Sequence, residues 1–283
     1  MKKLYQDTSF YLVIFIISYF IYVYPFEILN EFLFNEISNR RRSLLTSLCI
    51  SILVIFYFRS KNTFQPLKFF VYEGMGIGFI SFWIVNILLI VSFFGQFDRY
   101  ILGVLSLSSI IIISLIGFYY GNKLFIKKIN ISSNKIKKRY EFIFISDVHL
   151  GTNSISHLKK ILNTINKLKY DFLLIGGDLI DSSSFDLSQL KIFNQINKPI
   201  YFVTGNHEFY IKNYQEKISK LNEYGITLFD NKHFSKDNIN IVGIGDNQKK
   251  IDQLNMYLKL RDPQNYNLLL IHKPSIWDEI KDK

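Results

Sequence analysis

Four short polar clusters carry the chemistry legible in this 283-residue sequence. In order they are Asp147-Val148-His149, Gly177-Asp178-Leu179-Ile180-Asp181, Gly205-Asn206-His207-Glu208 and a lone His272. Asp147 and His149 stand two apart, so in extended backbone both side chains point the same way. The Asp178 carboxylate has two oxygens and can bridge two cations. Asn206 adds a neutral amide oxygen and His272 a further nitrogen. Gly177 and Gly205 permit sharp turns beside these donors. Mixed imidazole and carboxylate ligation suits manganese, iron, zinc or cobalt better than calcium. The expected cofactor is therefore a pair of such divalent metal ions. A single Asp-x-His triplet or Gly-Asp turn carries no such meaning; the ordered set does. His157, on an expected helix, and His233, in a polar turn, read as surface residues.

Each cluster sits where an apolar run stops. Phe142–Ser146 is short and β-rich and runs into Asp147. Phe172–Ile175 runs into Gly177-Asp178, Pro199–Val203 into Gly205-Asn206, and Asn267–Ile271 into His272. Between them, Ser154 is placed to cap a helix whose apolar residues Ile155, Leu158, Ile161, Leu162 and Ile165 follow helical spacing. Leu187–Ile196 reads as helical, Tyr214–Leu221 as a charged amphipathic stretch, and Ile239–Ile244 as a further strand. Alternating strands and helices imply an α/β sheet with helices on its faces. In open α/β sheets, sites form beyond the carboxyl ends of strands. Four strand ends would then converge on one crevice.

Asp147-Val-His149, Gly177-Asp178-x-x-Asp181 and Gly205-Asn206-His207-Glu208 resemble the first three signatures of the calcineurin-like metallophosphoesterases. The resemblance covers residues 140–283. A sharper likeness is to the bacterial membrane-attached branch, which includes predicted phosphohydrolases and lipid-A-pathway pyrophosphatases. There an aromatic pair follows, here Phe209-Tyr210, then a Gly-Ile turn, here Gly225-Ile226, then a Val-Gly-Ile-Gly-Asp stretch, here Val242–Asp246. The resemblance implies an α/β sandwich. It implies that Asp147, His149 and Asp178 hold one metal and Asp178, Asn206 and His272 the other, with Asp178 bridging. His207 would protonate the leaving oxygen or stabilise its charge. Asp181 would lie just outside the ligands, and Glu208 would support the loop. The implied chemistry is two-metal hydrolysis, in which the cations lower the pKa of a water and clamp the attacking and leaving oxygens.

One signature has no counterpart. The family's last motif, Gly-His-x-His, completes both metal shells well beyond the position of His272. No Gly-His pair occurs in the sequence, and 11 residues follow His272. The expectation is a domain incomplete at its C-terminal end.

The first part of the chain is of another kind. Phe10–Phe26 has only Ser18 and Pro25 as interruptions, and Leu44–Phe58 only Thr46, Ser47 and Ser51. Gly74–Gly95 and Ile101–Tyr120 carry no charge. A bilayer core takes roughly 20 apolar residues of helix. Arginines flank the shorter second segment and can snorkel. A cleavable signal peptide would explain the first run alone. Four membrane helices are expected, which puts both chain ends on one side. That side would hold Lys2, Lys3, Arg59, Lys61, Lys68 and seven basic residues from Lys123 to Arg139; the other holds Arg40, Arg41, Arg42 and Arg99. The excess points to the cytoplasmic face of a bacterial inner membrane. Within the segments, Asn86 reads as an interhelical hydrogen bond, and Gly74, Gly76 and Gly78 as a close-packing surface. Glu73 reads as a segment edge and Cys49 as a small buried hydrophobe.

Charge follows the same division. Residues 1–121 hold 15 charged groups and residues 122–283 hold 42. A transmembrane anchor over 1–121, a basic linker over 122–139 and a phosphoesterase domain over 140–283 follow. The net charge of +11 falls as +3, +7 and +1 on these parts. The positive balance therefore marks the exit from the membrane. It does not mark a nucleic-acid-binding domain, since the aromatic interleaving of a stacking platform is absent from the linker. Low charge and 49% hydrophobic residues exclude disorder for most of the chain, and a single cysteine excludes an internal disulfide. The expected partners are the lipid bilayer and a phosphoester substrate, lipid-linked if the anchor holds the site at the headgroups. Two other readings stay open: an anchored phosphodiesterase or nuclease acting on soluble substrates, and a non-catalytic membrane scaffold with a decayed metal site.

Overall fold

The computed structural model describes residues 2–59 and 65–281; Lys61, counted above among the loop cations, lies outside them. Contacts fall into two compact units, residues 1–125 and 126–283.

The first unit is helical: α1 (Lys2–Tyr22), α2 (Tyr24–Phe34), α3 (Arg40–Arg59), α4 (Gln65–Ser92) and α5 (Arg99–Gly121). Leu12, Leu45, Trp83, Ile112 and Leu115 stand bare on its outside. A helix that is apolar all round must be buried, in a large core or in lipid. Four stretches are long and apolar enough to cross a membrane: Ser9–Phe34, Arg40–Arg59, Pro66–Ser92 and Arg99–Gly121. The first joins two helices. Pro25, in the first turn of α2, has no N–H to return to α1, so the chain breaks at Val23 and restarts. The third begins well before Gly74, because Leu67, Phe69, Phe70 and Val71 extend its apolar run. Glu73 therefore lies inside α4 and not at its edge.

Polar side chains tie these helices together. The Tyr24 hydroxyl donates to Asn86 Oδ1 at 2.9 Å, the interhelical bond expected of Asn86. Arg99 pairs with Glu31 at 2.9 Å, and the Ser43 hydroxyl donates to Glu27. A Cβ at Gly78 would lie 2.1 Å from Ile21 O, so that glycine does permit close packing; Gly76 faces open space. Cys49 is exposed, against expectation. Ser43, Ser47 and Ser51, four apart, take the inner face of α3 and turn Cys49 outward.

The second unit is an α/β sandwich. Strands β1 (Phe142–Ile145), β2 (Phe172–Ile175), β3 (Ile200–Phe202) and β4 (Ile226–Leu228) form a parallel sheet in that order. Strands β5 (Lys232–Lys236), β6 (Ile239–Ile244) and β7 (Tyr266–Ile271) form a second sheet, with β5 antiparallel and β7 parallel to β6. Strand β2 is buried on both faces, as a doubly covered parallel strand must be. Leu173 and Ile175 face Leu158 and Leu162 of α6 (Ile155–Ile165) and Phe193 of the 3-10 segment Leu187–Gln195. Phe172 and Leu174 face Ile241 and Leu270, so the two sheets share a core. Helix α7 (Tyr214–Ser219) joins the first core through Ile218, and α8 (Lys250–Leu260) covers the second sheet through Tyr257. Ser154 holds the N-cap position of α6, but its hydroxyl meets Ser156 and caps nothing.

Candidate metal centre

The sheet register sets the strand ends level: Ile145 faces Ile175, and Ile175 faces Phe202. Beyond the strands the first two loops go on pairing. Asp147 N–H donates to Gly177 O at 3.1 Å, His149 N–H to Asp178 O at 2.9 Å, and Leu150 N–H to Leu179 O at 2.8 Å. This pairing overturns the extended backbone expected at Asp147 and His149. Asp147, His149 and Asp178 have φ of 57°, 52° and 53°. Left-handed backbone at a non-glycine residue costs roughly 1–3 kcal/mol and collects at functional sites. Here it holds two short loops in step while presenting three donors to one point.

The cluster centres on the carboxylate of Asp178, which is buried. Three imidazoles converge on its Oδ2: His272 Nε2 at 3.4 Å, His149 Nε2 at 3.7 Å and His207 Nε2 at 4.0 Å. Asp147 Oδ1 lies 3.7 Å from His149 Nε2, and Asp181 Oδ2 lies 3.4 Å from His149 Nδ1. The donors form two groups, His149 with Asp181 and His207, and Asp147 with Asp178 and His272. Within each group the donor atoms lie within 4.8 Å of one another. The grouping draws Asp181 and His207 into the donor set beside the residues expected as ligands. Asn206 follows Gly205 on the same turn and is half-buried.

These spacings are too long for hydrogen bonds. They suit donors that share a cation: two ligands about 2.1 Å from one tetrahedral ion stand about 3.4 Å apart. Among the described residues no lysine or arginine pairs with Asp147, Asp178 or Asp181. Three carboxylates and three imidazoles crowded without a cation fit a divalent metal site.

The support around the donors is specific. His272 Nδ1 lies 2.9 Å from Gly176 O. A carbonyl only accepts, so Nδ1 donates to it and Nε2 is turned toward Asp178. Gly205 passes so close that a Cβ there would lie 2.2 Å from Asp178 Oδ1. Gly177, at φ 93°, similarly abuts the Gly205 backbone. His207 N–H donates to Asp178 Oδ1 at 2.9 Å. Glu208 is 1% exposed and turns away from the donors. It accepts the N–H groups of Asp178, Ile180 and Gly205 at 3.0, 3.0 and 2.8 Å, the loop-supporting part expected of it. Burial pushes its carboxyl above the usual range, against the pull of those N–H donors.

Two supports were not legible in the sequence. Asp230, after β4, accepts the N–H and hydroxyl of Thr204 at 2.9 and 2.6 Å and so anchors the turn that carries Asn206 and His207. Burial raises its pKa. Asp246, after β6, accepts Lys273 Nζ at 2.7 Å beside His272, while its N–H donates to Thr204 O at 3.2 Å. The remaining histidines lie elsewhere. His157 is half-buried on α6, with its pKa lowered by burial. His233 is exposed on β5 rather than in a turn, with Nδ1 3.2 Å from Asn240 Oδ1. His207 itself is partly exposed, its ring packed edge-on between His149 at 4.6 Å and Tyr210 at 5.6 Å.

Residues 140–281 match the family model described as calcineurin-like phosphoesterase. An uncharacterized metallophosphoesterase of Helicobacter pylori is 28% identical over 179 residues, which is 59% of this chain and 47% of that protein. A Danio rerio transmembrane protein with metallophosphoesterase domain is 35% identical over 95 residues, 32% of this chain and 22% of that one. The symmetrical bis(5'-nucleosyl)-tetraphosphatase of Wigglesworthia glossinidia brevipalpis is 34% identical over 80 residues, 28% of each chain. The chain spans about half the length of the Helicobacter relative.

Proposed function

Because the chain belongs to the calcineurin-like phosphoesterase family, we propose that it is a membrane-anchored, metal-dependent hydrolase of phosphodiester or pyrophosphate bonds. The observation that carries this reading is the convergence of three imidazoles on the buried Asp178 carboxylate. Asp147, His149, Asp178, Asn206 and His272 would hold two divalent ions, with Asp178 between them. When bound, manganese, iron, zinc or cobalt supplies Lewis-acid chemistry: it polarises phosphoryl oxygens and makes water acidic.

The chain's own residues do the rest. Asp181 Oδ2 stands beside His149 Nδ1 as a further donor, and Gly176 O orients the imidazole of His272. His207 is accessible enough to meet substrate and donates a proton to the leaving oxygen as general acid. Glu208 and Asp230 keep the loops from relaxing before substrate arrives. The four apolar helices support a membrane anchor, and the distribution of basic loops favours a cytoplasmic side for both ends. A lipid-linked phosphodiester or pyrophosphate is the substrate class this location favours.

The likeness to a dinucleoside tetraphosphatase favours a second reading, a soluble nucleotide substrate reached from an anchored site. The detergent-solubilised chain separates them when assayed with manganese on bis(p-nitrophenyl) phosphate, diadenosine tetraphosphate and a lipid pyrophosphate in mixed micelles. Faster turnover of the micellar substrate supports the lipid reading. Equal rates on soluble diesters with no gain from micelles overturn it. No metal-stimulated hydrolysis of any of them overturns both.

A further inference from the structure

The stretch from Asn122 to Arg139 carries seven basic residues and no acid. The structure divides it in two. The distal part is fastened to its own domain. Lys135 Nζ donates to Pro263 O at 2.7 Å, Lys138 Nζ lies 3.5 Å from Asp237, and Arg139 lies 2.5 Å from Glu141. A turn closed by Ile136 N–H to Ser133 O at 3.0 Å precedes these contacts.

The proximal part, residues 123–131, is made differently. It has no helix or strand, and among the described residues Lys123, Lys127 and Lys128 have no carboxylate partner. Between the lysines stand Leu124, Phe125, Ile126, Ile129 and Ile131, all exposed, Ile129 by 69%. Five bare large apolar residues in nine do not suit a water-solvated linker. This part also begins two residues after the end of α5, where the fourth apolar stretch stops. Phe125 stacks on Tyr120 with ring centres 5.9 Å apart, and Lys123 Nζ lies 5.4 and 5.3 Å from the rings of Tyr119 and Phe125. Aromatic rings with snorkelling cations are the pattern of a membrane–water interface.

We propose that residues 123–131 form a binding surface for anionic lipid headgroups. The apolar side chains sit at the acyl boundary, and Lys123, Lys127 and Lys128 sit on headgroup phosphates. Charge complementarity selects this occupant, since an all-cationic stretch at a leaflet draws anionic rather than zwitterionic lipid. Nucleic acid is the poorer fit, because the aromatic ring of this stretch is already stacked within the chain. The inference rests on α5 spanning a bilayer and is independent of hydrolysis.

The test uses the full chain in vesicles of phosphatidylcholine with and without phosphatidylglycerol. Tryptic cleavage at Lys127 and Lys128 is followed in outward-facing molecules. Phosphatidylglycerol should slow cleavage about tenfold, and high salt should reverse the effect. The variant Phe125→Ser/Ile129→Ser keeps the cleavage sites and should lose the protection. Equal cleavage in both vesicles overturns the proposal. So does equal protection in phosphatidylcholine by added RNA or inorganic phosphate. Carbonate extraction reports the span separately, and release of the chain would overturn the proposal while leaving the hydrolase reading to its own assay.

Discussion

The Glu208 carboxylate accepts the backbone N–H of Asp178 at 3.0 Å, from a position 1% exposed to solvent. The acid in the Asn-His-Glu signature thus holds Asp178 by its backbone N–H and stays out of the donor cluster. Two further N–H groups, from Ile180 and Gly205, end on the same carboxylate. Glu208→Gln would set an amide NH2 against buried N–H donors and leave at least one unsatisfied. A buried unsatisfied group costs about 1–3 kcal/mol. The α/β domain should therefore unfold at lower temperature, read by scanning calorimetry. An unchanged transition would show that the loops do not depend on this acid.

Asp178→Asn removes the negative charge on which three imidazoles converge. Removing a residue that merely orients a ligand typically costs 10–100-fold, so loss of this one should lower manganese-stimulated hydrolysis by at least about 100-fold. Titration calorimetry should show weaker metal binding, with circular dichroism unchanged. Retained activity would exclude Asp178 from the site.

Two glycines separate crowding from backbone strain. Gly205→Ala drives a Cβ to 2.2 Å from Asp178 Oδ1 and should abolish metal-dependent activity. Gly225→Ala, at φ 74° with open space around it, should cost about 1 kcal/mol of stability and leave activity intact. Equal activity in the two variants would count against a tightly packed centre.

Asp246 and Lys273 link the ends of β6 and β7 beside His272. The lysine is half-exposed, so a double-mutant cycle of Asp246→Asn and Lys273→Met should give coupling of about 1 kcal/mol or less. If the pair also holds His272 in place, metal affinity should fall about tenfold in Lys273→Met. Unaltered affinity would reduce the pair to a surface contact.

In the helical unit, Tyr24→Phe removes the bond to Asn86 that joins α2 to α4. Interhelical side-chain bonds of this kind contribute about 0.6 kcal/mol, up to about 1.7. Unfolding in mixed detergent should register that loss, and Asn86→Leu made on top of it should add little.

Strands β1, β2, β6 and β7 were legible to within a residue or so, because each is a compact apolar run bounded by polar turns. Strand β4 has three residues, and β5 is exposed throughout, so neither leaves a hydrophobic pattern. Helix α8 shows no clear apolar stripe in the sequence, because its two buried residues are the polar-bearing Gln253 and Tyr257. The faces of Phe172-Leu173-Leu174-Ile175 could not be read either. A run of four apolar residues has no period, and only packing between α6 and the second sheet decides which pair turns which way.

The donors themselves, Asp147, His149, Asp178, His207 and His272, were set by residue type and by standing at strand ends. The four long apolar stretches were set by the scarcity of charge over the length of a bilayer-spanning helix. Both are properties of the local chain. What only the tertiary structure decided is which donors meet, how Asp181 reaches His149, and that three donors adopt left-handed backbone. It also decided that Asp230 anchors the turn carrying Asn206 and His207, and that Lys273 pairs with Asp246. The physical reason is that these depend on hydrogen bonds between loops distant in sequence, which exist only once the strands are in register.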